Sequence, residues 1–170
     1  MRTSLASSYA QAQRDANPQG WSERAAEWDA YHAKLVVRPR ALTEAILEFS
    51  KVVPGMHVLD IACGTGDPVF ALAEVVGPNG HVTATDVAPE MIAIAEAGAQ
   101  AAGISNMSFQ DPEPEALPFP DETFDAVTCR LGVMFLTDAV KGLSEFCRVF
   151  KPGPSLPWWP GGRGNRTFAR

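Results

Sequence analysis

Val58-Leu59-Asp60-Ile61-Ala62-Cys63-Gly64-Thr65-Gly66-Asp67 is the stretch on which the fold turns. An apolar strand ends beside an acidic residue, a glycine-rich turn follows, and a helix runs on from Asp67 to Val76. In an α/β fold such a turn lies at the carboxyl end of a strand, where ligands bind. Glycine lets backbone approach a ligand closely, and a helix start offers N–H groups that no helical carbonyl uses. Twenty residues after Gly66, Asp86 closes a second apolar strand. A nucleoside-binding fold presents a carboxylate to ribose hydroxyls at that position.

Outward from this unit the pattern repeats. Strands are predicted at 56–61, 81–86, 106–110 and 124–129, and helices at about 67–76, 89–102 and 138–149. Gly77-Pro78-Asn79-Gly80 is a turn cluster. Strands alternating with helices imply right-handed βαβ units and a parallel sheet. Upstream, Trp21, Ala25, Trp28, Tyr31 (or His32) and Leu35 recur at helical spacing up to about Val36. A second helix from Pro39 to about Ser50 carries Leu42, Ala45, Ile46 and Phe49 on one face, and Pro54-Gly55 breaks it. The expected class is α/β: a Rossmann-like parallel sheet with two N-terminal helices beside it.

A chain of 170 residues fits one domain, and 46% hydrophobic residues is ordinary for a soluble globular protein. The net charge is -6 with lysine and arginine scattered, which leaves no basic footprint for nucleic acid. It also disfavours an anionic membrane surface. No apolar run approaches the roughly 18 residues of a membrane span. Met1 to Asn17 lacks the apolar centre of a secretory signal. Cys63, Cys129 and Cys147 have no metal-ligand spacing and cannot all pair, so they read as free thiols in a reducing cytoplasm.

Each candidate has a plainer alternative. Many α/β folds carry a Gly-x-Gly turn for structural reasons. Asp86 could cap the helix beginning near Pro89. Asp60 could simply end its strand, or fix the loop, or meet an ammonium group. His32, His57 and His81 are isolated and read as surface or packing residues. Trp21, Trp28 and Tyr31 read as core, with an aromatic cover over a site as the second reading. Nothing nearby marks Cys63 as an activated nucleophile. Pro112-Glu113-Pro114 and Pro118-Phe119-Pro120 stiffen a loop that otherwise only links strands three and four. A dinucleotide fingerprint wants a small residue three positions after its second glycine. Val69 stands there and is β-branched, which leans away from NAD.

Taken together, four blocks resemble the class I S-adenosylmethionine-dependent methyltransferases, in particular the group that includes the ubiquinone and menaquinone biosynthesis enzymes. They are the opening stretch, Thr85-Asp86-Val87-Ala88-Pro89-Glu90-Met91, the block from Glu115-Ala116-Leu117-Pro118-Phe119-Pro120 to Asp125, and Phe146-Cys147-Arg148-Val149-Phe150-Lys151-Pro152-Gly153. The resemblance covers about residues 20–153. It implies an enzyme that moves a methyl group from S-adenosylmethionine to a small-molecule acceptor, quinol-like or other. It implies that Asp60 and the turn Ala62, Gly64, Thr65 and Gly66 surround the methionine part of the cofactor. Asp86 would bind the ribose, Val87 and Met91 would lie against adenine, and Glu113 and Pro114 would face the adenine edge. Cys129, Arg130 and Leu131 would line the sulfonium and the acceptor opening. No catalytic base is assigned.

Three departures from the family pattern stand out. Ala62 replaces a common glycine. Glu113 replaces a common aspartate, and Pro114 brings no N–H to the adenine ring. The tail from Gly153 to Arg170 holds four glycines, three prolines, two tryptophans and three arginines where relatives continue with an apolar fifth strand and two more. Trp158-Trp159-Pro160 requires the bases TGG TGG CCN. Read from the last base of the preceding codon, these encode Leu, Met or Val, then Val-Ala, which suits a strand. A frame change near Gly153 is therefore expected. The chain divides into a disordered leader 1–18, a domain 19–153 lacking strands five to seven, and an aberrant, disordered tail 154–170. Two rival functions follow: a catalytically impaired remnant that at most binds S-adenosylmethionine, and an NAD-linked oxidoreductase.

Overall fold

The computed structural model describes residues 18–34 and 38–152. Helices α1 (Pro18–Lys34) and α2 (Arg38–Ser50) precede an alternating unit. It runs β1 (His57–Ile61), α3 (Asp67–Val76), β2 (His81–Thr85), α4 (Pro89–Ala101), β3 (Met107–Gln110), β4 (Ala126–Cys129), a 3-10 turn at Val133–Phe135 and α5 (Ala139–Val149). The expected elements are present, most with ends within a residue or two of the predicted bounds. Pro18 belongs to α1 rather than to a leader, since proline suits a first helical position. The predictions for the rest of the leader and for the tail from Gly153 lie outside the described residues, as does the question of strands five to seven.

All strand pairs are parallel, in the order β3-β2-β1-β4. The chain leaves β1 toward β2 and β3, then crosses back to β4. The reversal falls at β1, so a crevice opens outside the carboxyl ends of β1, β2 and β4. After α5 the chain returns beside the segment that leads into β4. There Phe124 N–H donates to the Val149 carbonyl at 3.0 Å and Lys151 N–H to the Phe124 carbonyl at 2.8 Å.

Both faces of the sheet are covered, as a parallel sheet requires. Val58, Val82 and Ala84 pack with Val69, Leu72 and Val76 of α3. On the other face Leu59 and Ile61 pack with Leu117, Phe124, Phe146 and Val149. Helix α3 opens on Asp67-Pro68 and stops at Gly77, whose φ of 66° is left-handed. The Asp138 carboxylate caps α5 by accepting from Lys141 N–H at 3.0 Å.

The rotation of α2 departs from its sequence pattern. Leu42 and Phe49 are exposed, Phe49 at 77%. Thr43 is buried instead, and Leu47 packs against the core. A polar contact explains it. The Thr43 hydroxyl donates to Asp67 at 3.3 Å and accepts from Arg130 at 3.1 Å, which turns that face inward.

Candidate active site

The crevice is a cleft of about 490 Å³, a size suited to a nucleoside-like ligand. Its floor is the turn after β1. Ala62, Gly64 and Gly66 all take left-handed φ, at 59°, 57° and 108°. The turn closes with Gly66 N–H donating to the Cys63 carbonyl at 3.2 Å. Ala62 is an unusual residue for that conformation. Its side chain has room because residue 132 is glycine: a Cβ there would sit 2.5 Å from the Ala62 Cβ and 2.8 Å from Cys129 Sγ.

Asp86 ties two turns together. One carboxylate oxygen accepts from Gly64 N–H at 2.9 Å, the other from Ala88 N–H at 3.0 Å. Asp86 supports the start of α4, as the capping reading has it, and it also lines the cleft. Burial raises its pKa, while the N–H donors from Ala88 and Gly64 pull the other way. Val87, Met91, Glu113, Pro114 and Arg130 line the cleft as well.

Asp60, Thr65 and Gly66 do not line it. Asp60 has no accessible surface and accepts from the Thr128 hydroxyl through Oδ1, while Oδ2 has no partner. Burial pushes its carboxyl from the ordinary 3.8 up to about 7, with Thr128 and Arg130 opposing. Gly66 serves packing, because a Cβ there would come within 2.4 Å of Phe70 Cζ. Arg130 is committed sideways. It forms an ion pair with Asp67 and bonds Thr43, tying the end of β4 to α3 and α2.

Sequence reasoning undervalued the aromatics. Trp21 and Trp28 pack on Ala88 and Met91, and they also line the cleft. Trp21 stands edge-to-face with Trp28 at 5.7 Å and with Phe135 at 5.1 Å. Tyr31, on the same stripe, is 55% exposed. Gly132, Phe135, Leu136 and Thr137 line the cleft too, from a segment without periodicity to announce them. His57 and His81 lie at the opposite, amino ends of β1 and β2, consistent with packing roles. Burial raises the Cys63 thiol well above its ordinary range, so it is no ready nucleophile.

Residues 36–158 match the model of the ubiE/COQ5 methyltransferase family. The chain belongs to that family. Its relatives include the demethylmenaquinone methyltransferase of Bacillus cytotoxicus, 37% identical over 68% of this chain and 49% of the relative. The enzyme of the same name from Listeria welshimeri is 35% identical over 74% of this chain and 56% of the relative. This family member thus spans about half the length of the curated relatives it matches. Among solved structures, a SAM-dependent methyltransferase from Aquifex aeolicus superposes with a TM-score of 0.64 at 31% identity, covering 72% of this chain and 67% of that one. The fold is the α/β Rossmann-like methyltransferase fold. Among the described residues, no helix is long and apolar enough to cross a membrane.

Proposed function

We propose that the cleft holds S-adenosylmethionine and that the protein transfers its methyl group to a small quinol-like acceptor. The carrying observation is Asp86, a carboxylate at the carboxyl end of β2, facing the cleft and held on both oxygens by backbone N–H groups. Each oxygen keeps a lone pair for a ribose hydroxyl. Val87 and Met91 offer apolar surface to adenine, and Glu113 an acceptor to its amino group. The methionine end lies along Ala62, Cys63 and Gly64, toward Cys129 and Arg130. The lining carries the carboxylates of Asp86, Glu113 and Glu115, and its arginine is paired with Asp67. That balance suits a ligand bearing sulfonium and ammonium charge.

A dinucleotide fits poorly. Its pyrophosphate belongs at a helix start. There α3 presents the Asp67 carboxylate, Pro68 without an N–H, and the buried β-branched Val69.

When bound, the cofactor supplies a methyl group on a positively charged sulfur together with its own leaving group. The chain contributes alignment and the exclusion of water. The Trp21, Trp28 and Phe135 rings screen the cleft, and Leu131 and Gly132 flank the acceptor side. The Cys129 thiol is no base, because burial pushes it up to about 11. The quinol-like acceptor follows from the names of the curated relatives. Calorimetric titration of the chain with S-adenosylmethionine and, separately, with NAD tests the cofactor. One-site saturation by the first and none by the second is expected; the reverse overturns the reading.

A further inference from the structure

The cleft wall carrying Glu113 and Pro114 belongs to the irregular segment between β3 and β4. Its own backbone bonding is sparse, with Ala116 N–H donating to the Glu113 carbonyl at 3.0 Å. Two supports hold it: side chains of α5 outside the cleft, and the backbone N–H groups just before α5. Arg148 directs all five of its donors at one cluster. Nη1 reaches the Phe119 carbonyl at 2.7 Å and the Asp121 carboxylate at 2.9 Å. Nη2 reaches the Leu117 carbonyl at 2.9 Å and Glu145 at 2.7 Å, and Nε reaches the other Glu145 oxygen at 2.8 Å. Glu145 in turn accepts from Leu117 N–H at 3.0 Å. Leu117 is therefore gripped at both its N–H and its carbonyl while its side chain is buried in the core. The hydrogen bond with Arg148 holds the Glu145 carboxyl below its ordinary range. Further along, Glu115 accepts from Thr137 N–H at 2.8 Å and Asp138 N–H at 3.2 Å.

We propose that Arg148 is a positioning residue for cofactor recognition: through Leu117, Phe119 and Glu145 it fixes Glu113 and Pro114 at the cleft, and so sets selectivity for the amino group of adenine. The proposal rests on the S-adenosylmethionine reading. Leu117 stands three residues from Pro114 in a segment stiffened by proline, so a shift at the clamp passes to the wall. A planar fork is needed, because its donors meet two carbonyls and two carboxylates in fixed directions. A lysine ammonium is a point charge with three donors and cannot span them.

The test compares S-adenosylhomocysteine with S-inosylhomocysteine, which carries an oxygen in place of the amino group. Both are titrated calorimetrically into the full chain, its Arg148→Lys and Arg148→Met variants, and Glu145→Gln, with a thermal melt of each. The unaltered chain should prefer the adenosyl ligand by about tenfold or more, the scale of a hydrogen bond to a charged acceptor. Arg148→Lys and Arg148→Met should reduce the preference to about threefold or less while affinity for the inosyl ligand holds. Glu145→Gln, which keeps the fork, should fall between. An unchanged preference in Arg148→Lys, or an equal loss for both ligands, overturns the positioning role. No preference in the unaltered chain overturns it while leaving the cofactor reading standing. Binding of neither ligand overturns both.

Discussion

The two walls of the cleft are built by different means. The wall from the ends of β1 and β2 is backbone folded on itself. Left-handed residues shape the turn, and one carboxylate, Asp86, takes N–H groups from Gly64 and Ala88. The facing wall, from Pro112 to Glu115, has no such internal order. Glu115 is tied to Thr137 and Asp138, and the chain just beyond, at Leu117 and Phe119, is held by side chains of α5 across separations of 28, 29 and 31 residues. The first wall should resist change everywhere except at a few residues that cannot be replaced. The second should tolerate change in itself and fail when its distant support is removed.

The largest effect is expected behind the first wall, at Asp60. Its carboxyl ionises near 3.8 in the unfolded chain and near 7 in the folded one. Between those values the folded state holds the extra proton, so stability falls as pH rises from about 4 to 7 and is level above. The protonated form favours folding fully below the unfolded value. The fall amounts to ~4 kcal/mol. Urea unfolding of the chain and of Asp60→Asn should differ by this slope between about pH 4 and 7 and run parallel above about pH 7. Parallel profiles throughout would mean that Oδ2 has found a partner and that the first wall has no strained backing.

Gly66→Val comes next. A β-branched side chain would have to take left-handed φ and displace the Phe70 ring, at a cost of about 3 kcal/mol. Stability should fall first, with binding lost as a consequence. Loss of cofactor binding with an unchanged denaturation midpoint would return Gly66 to the cleft surface. If Asp86 holds the ribose as proposed, Asp86→Ala removes hydrogen bonds of roughly 1.5–3 kcal/mol, so affinity should drop by about one to two orders of magnitude. It also strips Gly64 and Ala88 of their acceptor, so a modest loss of stability accompanies it. Affinity unchanged in a folded variant would remove Asp86 from the site.

The smallest effect belongs to the second wall. Pro114→Ala restores an N–H beside the cleft and should improve cofactor affinity by about 0.5–1.5 kcal/mol, up to roughly tenfold. Because the clamp on α5 holds the loop, losing one proline should leave the melting temperature nearly unchanged. A weaker cofactor affinity would show that proline stiffness, rather than Arg148, keeps this wall in place.

Much of this was legible in the chain. The βαβ order, the turn at Ala62–Gly66 and the acid at Asp86 could be read because each depends on neighbours in sequence. Strand alternation, turn-forming glycine and a helix start are local physics, and local physics repeats wherever the residues do. The aromatic stripe on α1 was visible too, with core and cover as alternatives, but not that Trp21 and Trp28 do both while Tyr31 does neither, since periodicity reports a face and not what the face meets. The rotation of α2 is hidden from the sequence for the same reason: Phe49 is more apolar than Thr43, yet Thr43 meets Asp67 and Arg130 and faces inward. Gly132 carries no signal until Ala62 is seen against it. The sequence alone determined the sheet, the turn and the family. Tertiary structure decided which apolar face was buried, that Asp60 lies behind the cleft, and that Arg148 reaches Leu117 and Phe119. Those outcomes depend on side chains brought together from distant positions, and they exist only once the sheet has closed around them.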